Sequence, residues 1–398
     1  MMNRLLVILC SALLLSSCGR QTAAPQEEGD TVRFRHAQLL SVVRHEGYTV
    51  ATIRHPWRQD AVLHRYVLVR ADRPLPDPLP EGTLLRTPLS RSVVFTTVHC
   101  SLLQMLHRQE AVAGVADLKY IKAPYVHDGV RSGRIADCGD GMSPVIEKII
   151  DLRPDALLLS PFENSGGYGR LEEIDIPIVE CAEYMEPSPL GRAEWMRFYG
   201  MLYGCEREAD SLWAVVDSSY HRLRSDVRRL KADANSQPSA LSPQPSTLSP
   251  QPSALSPQPS CLVDKVTGSV WYVPGGHSTI GRMLSDAAAD YPWADDEHSG
   301  SVSLPFEAVL ERGGDCRVWL LRYSGREALT RRQLLSEHRG YQQFRAFREG
   351  RVYGCNVELS AFYEETPFRP DWLLTDFIAI LHPEMLPNYT LRYYHPVR

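Results

Sequence analysis

The residues best suited to chemistry in this sequence are aromatic and polar side chains that follow short apolar runs. Each run predicts a buried strand, and ligands of open α/β sheets bind beyond the carboxyl ends of the strands. Aromatic rings mixed with a few polar groups suit a large, flat, partly apolar ligand, and Arg322 can pair with an anionic group on it. The candidate ligand contacts are Thr97, His99, Tyr120, Tyr168, Tyr184, Tyr272, His277, Arg322 and Tyr363.

Metal ligation and catalysis are weaker alternatives. A zinc or manganese carrier needs three or four converging His, Asp or Glu ligands, and no His-rich loop accompanies His99 or His277. A secreted hydrolase is a second alternative, but neither a G-x-S-x-G nor an H-E-x-x-H motif occurs. Glu163, Glu183 and Glu186 could form a glycosidase pair, although nothing in the sequence sets them apart. We therefore expect no catalytic residue, no cofactor and no resident metal.

The elements that would position the candidate contacts alternate between strand and helix. In the first half, strands are predicted at 93–98, 112–115, 156–159 and 178–181. A second alternating series begins with a strand at Val270–Val273. Such alternation is typical of parallel sheets with helices on their faces. The sequence predicts the α/β fold class, with two Rossmann-like βαβ lobes.

One long helix is predicted between the lobes. From Glu206 to Lys231, apolar residues recur at steps of three and four, which is the helical period. The segment that follows repeats LSPQPS at Leu241, Leu248 and Leu255, and its prolines forbid a helix. Its Pro, Ser and Gln content is typical of a disordered or polyproline-II linker. The predicted order is therefore lobe, bridging helix, linker, lobe.

The N-terminus has the pattern of an export signal. An apolar run from Leu5 to Leu15 is too short to span a bilayer, which needs roughly 17–25 residues. Leu15-Ser16-Ser17-Cys18 resembles the lipobox of bacterial lipoproteins, which implies acylation of Cys18. The predicted divisions are a signal peptide 1–17, a tether 18–30, a β-rich extension 31–85, an N-terminal lobe 86–205, an interlobe helix 206–234, a linker 235–260 and a C-terminal lobe 261–398.

Composition restricts the partners. The net charge of -5 argues against nucleic acid, which favours a strongly basic face. Beyond Cys18 the chain has seven cysteines, which cannot all pair with one another, and no CxxC motif. We expect most of these cysteines to be buried, with one or two disulfides that the sequence cannot assign.

Three segments resemble one protein family. The run 147–160, EKIIDLRPDALLLS, and the run 304–310, LPFEAVL, look like corresponding elements of two lobes in periplasmic binding proteins for ferric siderophores, haem and cobalamin. The run 272–276, YVPGG, resembles the loop after the first strand of the second lobe. The similarity covers roughly Arg86 to the C-terminus. The extension before Arg86 and the proline repeat depart from the family pattern.

This resemblance implies a function and a partner. Family members hold their ligand between two Rossmann-like lobes joined by one helix and deliver it to the permease subunits of an ABC importer. It implies that Glu147 and Glu307, one on each lobe, pair with arginines of those subunits. We accordingly expect a monomeric, lipid-anchored protein on the periplasmic face of a bacterial membrane. Its ligand would be an iron-siderophore complex, haem or cobalamin.

Overall fold

The computed structural model describes residues 29–163, 167–236 and 259–398. The predicted signal peptide, Cys18 and positions 237–258 of the predicted linker lie outside these ranges. No helix in the described ranges is long and apolar enough to cross a membrane.

The N-terminal extension is a five-stranded sheet. Its strands are β1 (Asp30–Val32), β2 (Leu40–Arg44), β3 (Thr49–Arg54), β4 (Val62–Arg70) and β5 (Thr83–Thr87). The first four pair antiparallel in chain order, and β5 runs parallel to β4. Tyr66 docks this sheet on the first lobe, because its hydroxyl donates to the Ile178 carbonyl at 3.0 Å and accepts the Glu180 N–H at 2.8 Å.

The first lobe contains a five-stranded parallel sheet in the order β12-β11-β6-β7-β8. Its strands are β6 (Ser92–Val94), β7 (Val112–Val115), β8 (Ala136–Asp137), β11 (Ala156–Leu159) and β12 (Ile178–Glu180); β9 (Gly139–Asp140) and β10 (Ser143–Pro144) form a separate antiparallel pair. Its helices are α1 (Thr97–Met105), α2 (Pro124–Arg131) and α3 (Ile146–Leu152). Short 3-10 turns cover Gln109–Ala111, Leu118–Tyr120, Gly169–Ile174 and Ala182–Met185.

One predicted boundary in this lobe is wrong. The sequence predicts a strand through Val98, but β6 ends at Val94 and α1 starts at Thr97. The β-branched residues Thr97 and Val98 continue the apolar run and so imitate a strand. Thr97 and His99 consequently lie on a helix rather than in a loop.

The predicted bridging helix is present. After α4 (Pro189–Glu194) and α5 (Met196–Leu202), α6 runs from Glu206 to Ser236, a length of about 46 Å at 1.5 Å per residue. Its buried residues are Ala209, Trp213, Val216, Tyr220 and Val227, which repeat at steps of three, four and seven. This stripe packs against α5 on one side and against the last helix of the second lobe on the other.

The second lobe contains two sheets. One joins the parallel strands β13 (Cys261–Val263), β17 (Val318–Tyr323) and β18 (Val352–Asn356) to antiparallel β19 (Tyr394–Pro396); the other is antiparallel, with β14 (Val266–Thr267), β15 (Val270–Pro274) and β16 (Ser301–Leu304). The helices are α7 (Thr279–Asp286), α8 (Phe306–Gly313), α9 (Arg331–Glu337), α10 (Arg345–Arg348), α11 (Phe362–Glu365) and α12 (Pro370–Leu381), with a 3-10 turn at Arg339–Gln343.

The expected first strand of this lobe is also corrected. Val270–Val273 lies in antiparallel β15, whereas the first strand of the parallel sheet is Cys261–Val263. Asp264 follows β13 with a φ of +61°, a left-handed conformation that turns the chain out of the sheet and into the hairpin. The YVPGG run therefore ends a hairpin strand rather than a parallel one.

The seven cysteines of the described chain are all free and buried. Disulfides are therefore absent among them, contrary to the one or two that the export signal suggested. Burial raises the pKa of thiols such as Cys100 and Cys355 to about 12, so each remains a small apolar group in the core.

Candidate functional site

A large cleft lies at the point where the strand order of the first lobe changes direction. From β6 the chain builds β7 and β8 on one side, and later β11 and β12 on the other. The loops after β6 and β11 consequently diverge, which is where open α/β sheets bind ligands. The cleft there has a volume of about 780 Å³. Its described lining is Phe95, Thr96, Asp117, Gly141, Met142, Ser143, Pro144, Ile146, Leu159, Ser160, Phe162, Gly167, Tyr168, Gly169, Arg170 and Leu171.

The rings in this cleft come from two loops with different constraints. Phe162 is 60 % exposed and free to meet a ligand. Tyr168 is anchored, because its hydroxyl donates to the Glu180 carboxylate and its backbone N–H donates to Glu172 Oε1 at 2.7 Å. Burial raises the pKa of Glu180, and the hydrogen bond from Tyr168 partly offsets that shift. One ring is thus preset and the other is adjustable.

Gly167 permits the turn that brings Tyr168 into the cleft. Its φ of +101° is strained for any residue with a side chain, and a Cβ there would lie 2.4 Å from Glu172 Oε1. The same carboxylate accepts the backbone N–H of Tyr168, so the conformation of Gly167 and the position of the Tyr168 ring both depend on Glu172.

Charge in the cleft is sparse. Arg170 places its guanidinium at the rim, with 70 % of the side chain exposed, and its Nη2 atom lies 3.8 Å from Glu147 Oε1. Asp117 is the single carboxylate among the described lining residues, which include no histidine and no cysteine. The site therefore offers an apolar, ring-lined body, hydroxyls from Thr96 and Ser160, and one exposed cation for an anionic group.

A cluster of buried polar side chains lies behind Thr96, on the side away from the cleft. The Thr96 hydroxyl contacts His99 Nδ1, while His99 Nε2 lies 3.5 Å from Glu183 Oε1. Tyr199 donates to the other oxygen of Glu183 at 3.0 Å. His99 is 1 % exposed, and burial lowers its pKa. His99 thus lies behind the cleft wall, where it can orient Thr96 but does not line the cleft.

The same buried group brings three metal-binding residue types together. Ligand atoms of His99, Cys181 and Glu183 lie within 4.8 Å of one another. However, Glu183 already accepts a hydrogen bond from Tyr199, so the carboxylate is not without a partner. This cluster therefore resembles a buried hydrogen-bonded network more than an ion site.

The other predicted contacts of the first lobe surround the cleft at different depths. Tyr184 donates its hydroxyl to the Pro161 carbonyl and so fastens the loop after β11. Thr97 is half-buried at the first turn of α1, next to Thr96. Tyr120 is 60 % exposed, with Lys119 Nζ 4.9 Å from the centre of its ring. Among the nine predicted contacts, Tyr168 is the one that lines the described cleft.

In the second lobe, Arg322 is already paired. Its Nε donates to Asp264 Oδ1 at 2.9 Å and its Nη2 donates to Oδ2, which makes a bidentate pair. The two side chains are 26 % and 14 % exposed. The backbone carbonyl of Asp264 also accepts the Trp319 Nε1 proton at 2.6 Å. A guanidinium held in this way is less available to a ligand than an unpaired one.

The remaining predicted contacts of the second lobe are exposed. Tyr272 lies on β15 and is 45 % exposed, His277 is exposed in the turn before α7, and Tyr363 is 51 % exposed on α11. The residue beside Tyr363, Glu364, accepts the backbone N–H of Lys122 from the first lobe. This hydrogen bond joins the lobes beside two of the predicted rings, Tyr120 and Tyr363.

The two predicted docking residues occupy matching positions. Glu147 lies in the first turn of α3, and its side chain is 75 % exposed. Glu307 lies in the first turn of α8 and is likewise exposed. Each carboxylate is therefore accessible, one on each lobe.

Several residues that line the cleft were not among the predicted contacts. Phe95 and Met142 line the cleft, and Met142 is 87 % exposed. Phe95 stood inside a predicted strand that was too long. Met142 follows the short β9 strand, which has two residues and too weak a pattern to detect. Arg170 lies two residues after Tyr168 and could have been included with it.

Comparison with known proteins gives consistent results. A family model described as periplasmic binding protein matches residues 93–359. An uncharacterized lipoprotein of Methanocaldococcus jannaschii is 24 % identical over 345 residues, which cover 82 % of this chain and 74 % of that protein.

Two solved structures are similar in fold. The ABC-type Fe3+-hydroxamate transport system protein from Saccharomonospora viridis has a TM-score of 0.53 at 18 % identity, with 74 % of this chain and 94 % of that chain covered. A periplasmic heme binding protein from Pseudomonas aeruginosa has a TM-score of 0.52 at 17 % identity, with 74 % and 93 % covered. At such identities the likeness shows the fold alone.

Proposed function

Because the segment matched by the family model spans more than half of the chain, this protein belongs to the periplasmic binding protein family, and we propose that it carries a ligand to an ABC importer. The ligand we propose is a ferric siderophore or haem, or else cobalamin. The cleft of the first lobe would hold it, and the second lobe would close on it. The choice of ligand depends on the side chains that line the cleft, because proteins of this fold carry different ligands.

The ring-lined cleft is the observation that carries this proposal. Its volume of about 780 Å³ lies within the 300–1,000 Å³ typical of small-molecule sites. Phe95, Phe162 and Tyr168 offer faces on which a flat or partly aromatic ligand can stack. A bare divalent ion would instead need several converging carboxylates or imidazoles, and Asp117 is alone among the described lining residues.

Arg170 supplies the charge that this ligand class requires. Ferric siderophores and haem carry anionic groups, and an exposed guanidinium at the rim can pair with them. Two of the similar structures are described as a hydroxamate transport component and a heme binding protein. Those descriptions support the ligand class proposed for this chain, and the cleft chemistry agrees with it.

The experiment is a binding titration of the full chain. A ferric hydroxamate, haemin and cyanocobalamin are titrated separately and followed by absorbance and tryptophan fluorescence. We expect one of the three to bind at one site per chain. Phe162→Ala should weaken that ligand about tenfold, since an aromatic contact contributes roughly 0.5–1.5 kcal/mol beyond its buried area. Tyr363→Ala is the control, because that ring is also exposed (51 %, against 60 % for Phe162) and does not line the cleft.

Two outcomes would reject the proposal. If none of the three ligands binds, the ligand class is wrong. If a ligand binds but Phe162→Ala leaves its affinity unchanged while Tyr363→Ala reduces it, the ligand lies elsewhere.

We also propose how the protein is held and where it delivers its ligand. Acylation of Cys18 would anchor it to the membrane, and the exposed carboxylates of Glu147 and Glu307 would pair with arginines of the permease. Cys18→Ser should abolish incorporation of labelled palmitate and release the chain from the membrane fraction. Unchanged labelling would show that the anchor is not at Cys18.

A further inference from the structure

A second group of potential ligands lies away from the cleft, where the N-terminal extension meets the bridging helix. Asp217 and His221 stand one turn apart on α6, so their side chains leave the same face of the helix. His36 comes from the segment between β1 and β2 and reaches the same face. The three residues are 24 %, 18 % and 39 % exposed in the order His36, Asp217, His221.

The segment that carries His36 is held firmly. The backbone N–H groups of Arg35, His36 and Ala37 all donate to the carboxylate of Glu194, at distances of 2.7 to 3.0 Å. Glu194 is fully buried. The imidazole of His36 is also in contact with Trp213, with ring centres 5.8 Å apart in an edge-on arrangement. His36 is therefore positioned before any ligand arrives, as second-shell residues position metal ligands.

Two of the distances within the group are close to those of a coordination sphere. His36 Nε2 and His221 Nε2 each lie 3.2 Å from the same atom, Asp217 Oδ1. All three ligand atoms lie within 4.8 Å of one another. Ligand atoms around a tetrahedral Zn²⁺ with bonds of about 2.0–2.1 Å are separated by about 3.3 Å.

Hydrogen bonding does not account for this convergence. Asp217 Oδ1 is buried and accepts no hydrogen bond from any residue that the structure describes. Two imidazole nitrogens face it without the alignment that a hydrogen bond requires. A buried carboxylate oxygen without a donor is costly, and a cation between the three atoms would satisfy it.

We propose that His36, Asp217 and His221 bind a divalent transition-metal ion, with Zn²⁺ as the expected occupant. Two imidazoles and one carboxylate suit Zn²⁺ and its neighbours in the first transition row rather than Ca²⁺ or Mg²⁺. The exposed side of the group leaves room for water at a fourth position. The ion would link the extension to α6, the helix that joins the lobes. This metal site is independent of the ligand proposed for the cleft.

The test uses the full chain, stripped with a chelator and titrated with ZnCl2 by calorimetry and with CoCl2 by visible absorbance. We expect one Zn²⁺ per chain, Co²⁺ absorption bands of a tetrahedral site, and a melting temperature that rises with Zn²⁺. His36→Gln, Asp217→Asn and His221→Gln should each weaken Zn²⁺ binding at least about 100-fold, because loss of outer-shell partners alone costs 10–100-fold.

The matched control is His298→Gln. His298 also pairs with an aspartate, with Nδ1 2.9 Å from Asp296 Oδ1, and that pair is absent from the three-residue clusters found in the described chain. Its loss should leave Zn²⁺ affinity unchanged. Phe162→Ala should bind Zn²⁺ like the wild type, which separates this proposal from that of the cleft. Circular dichroism of Asp217→Asn would verify that the variant is folded.

The proposal fails if the stripped chain binds no Zn²⁺, or if all three single variants retain wild-type affinity and cobalt spectra. In that case the group is two histidine–carboxylate contacts, of which the one between His36 and Asp217 joins the extension to α6.

Discussion

Each lobe contains its own sheet with parallel strands, but the carboxyl ends of those strands differ between the lobes. In the first lobe, the ends of β6 and β11 open into a cleft of about 780 Å³ where Phe162 is 60 % exposed and Arg170 projects to the rim. In the second lobe, the ends of β13 and β17 are tied together by the pair of Asp264 and Arg322. The strand ends of the first lobe thus border an open cleft, whereas those of β13 and β17 are joined by a side-chain ion pair.

This difference shows that residue type and position do not fix a role. Arg322 lies near the end of β17 and Arg170 follows β11, and both could meet an anion. Burial alone would lower the pKa of Arg322, but the hydrogen bonds and charge of Asp264 outweigh it and raise the pKa. The second-lobe arginine is thus committed to its own neighbour, whereas the first-lobe arginine has, among the described residues, a 3.8 Å exposed contact with Glu147.

The largest expected effect concerns a feature that the lobes share. Glu147→Ala combined with Glu307→Ala should abolish transport and weaken binding to the permease, while ligand affinity stays near that of the wild type. Close ion pairs across protein interfaces couple by about 1.5–7 kcal/mol, and the proposed docking uses one on each lobe. Uptake of labelled ligand in cells and binding to reconstituted permease are the measurements. Added salt should weaken the wild-type complex more than the residual binding of the double variant.

Each carboxylate also lies in the first turn of a helix, which offers a simpler role. A charge there stabilises the helix by about 0.3–1 kcal/mol and has no effect on a partner. If the double variant loses stability but transports normally, that role is sufficient and the docking proposal is wrong. The single variants should show whether the two lobes contribute equally.

The second-largest expected effect is a difference in stability between arginine variants of the two lobes. Arg322→Ala leaves Asp264 partly buried without its partner and should lower the free energy of unfolding by about 2–3 kcal/mol, less than for a fully buried pair because both side chains keep some exposure. Arg170→Ala should change it by no more than about 0.5 kcal/mol, since that side chain is 70 % exposed. Urea unfolding of both variants measures the contrast.

The sequence alone predicts instead that Arg322→Ala weakens ligand binding with little effect on stability. A variant that binds ligand poorly and melts like the wild type would support that role and contradict the structural one. Replacing the pair together, by Arg322→Met with Asp264→Asn, should recover part of the lost stability because no unpaired charge remains.

The fold could be predicted well because its signals are local. Apolar runs such as Val112–Val115 and Ala156–Leu159 coincide with strands β7 and β11, and the helical period of α6 extends over many residues. Strand β13 was missed because it lies directly between the predicted linker and Asp264, whose left-handed backbone turns the chain at once and is not revealed by the sequence.

The site could be predicted only in part because it depends on tertiary contacts. Tyr168 was predicted because it follows the apolar run 156–159, but nothing local shows that His99 is turned behind the cleft wall or that Arg322 is held by Asp264. His36 lies far from Asp217 and His221 along the chain, so their convergence appears only in the folded protein.

The smallest expected effect concerns the connection between the lobes. Replacing 237–258 with a Gly-Ser bridge of half the length should shift the free energy of unfolding by about 0.6 kcal/mol, because loop-closure entropy varies slowly with length. The lobes are joined instead by α6, which packs on α5 and α12, and by the hydrogen bond from Lys122 to Glu364. Urea unfolding at equilibrium is the measurement.

The residue at which this deletion ends should affect stability, because the predicted linker extends to Ser260, two residues beyond the replaced segment. The carbonyl of Ser260 accepts the N–H groups of Arg317 and Val318 at 3.1 Å, and that of Pro259 accepts the N–H of Asp290 at 3.2 Å. Extending the deletion through Ser260 should therefore cost about 1–3 kcal/mol more, since these donors lie at the edge of the parallel sheet and lose their acceptors. If the shorter deletion already makes unfolding non-cooperative, the segment contributes to folding. If both deletions are silent, the edge of β13 is less important to the second lobe than its hydrogen bonds indicate.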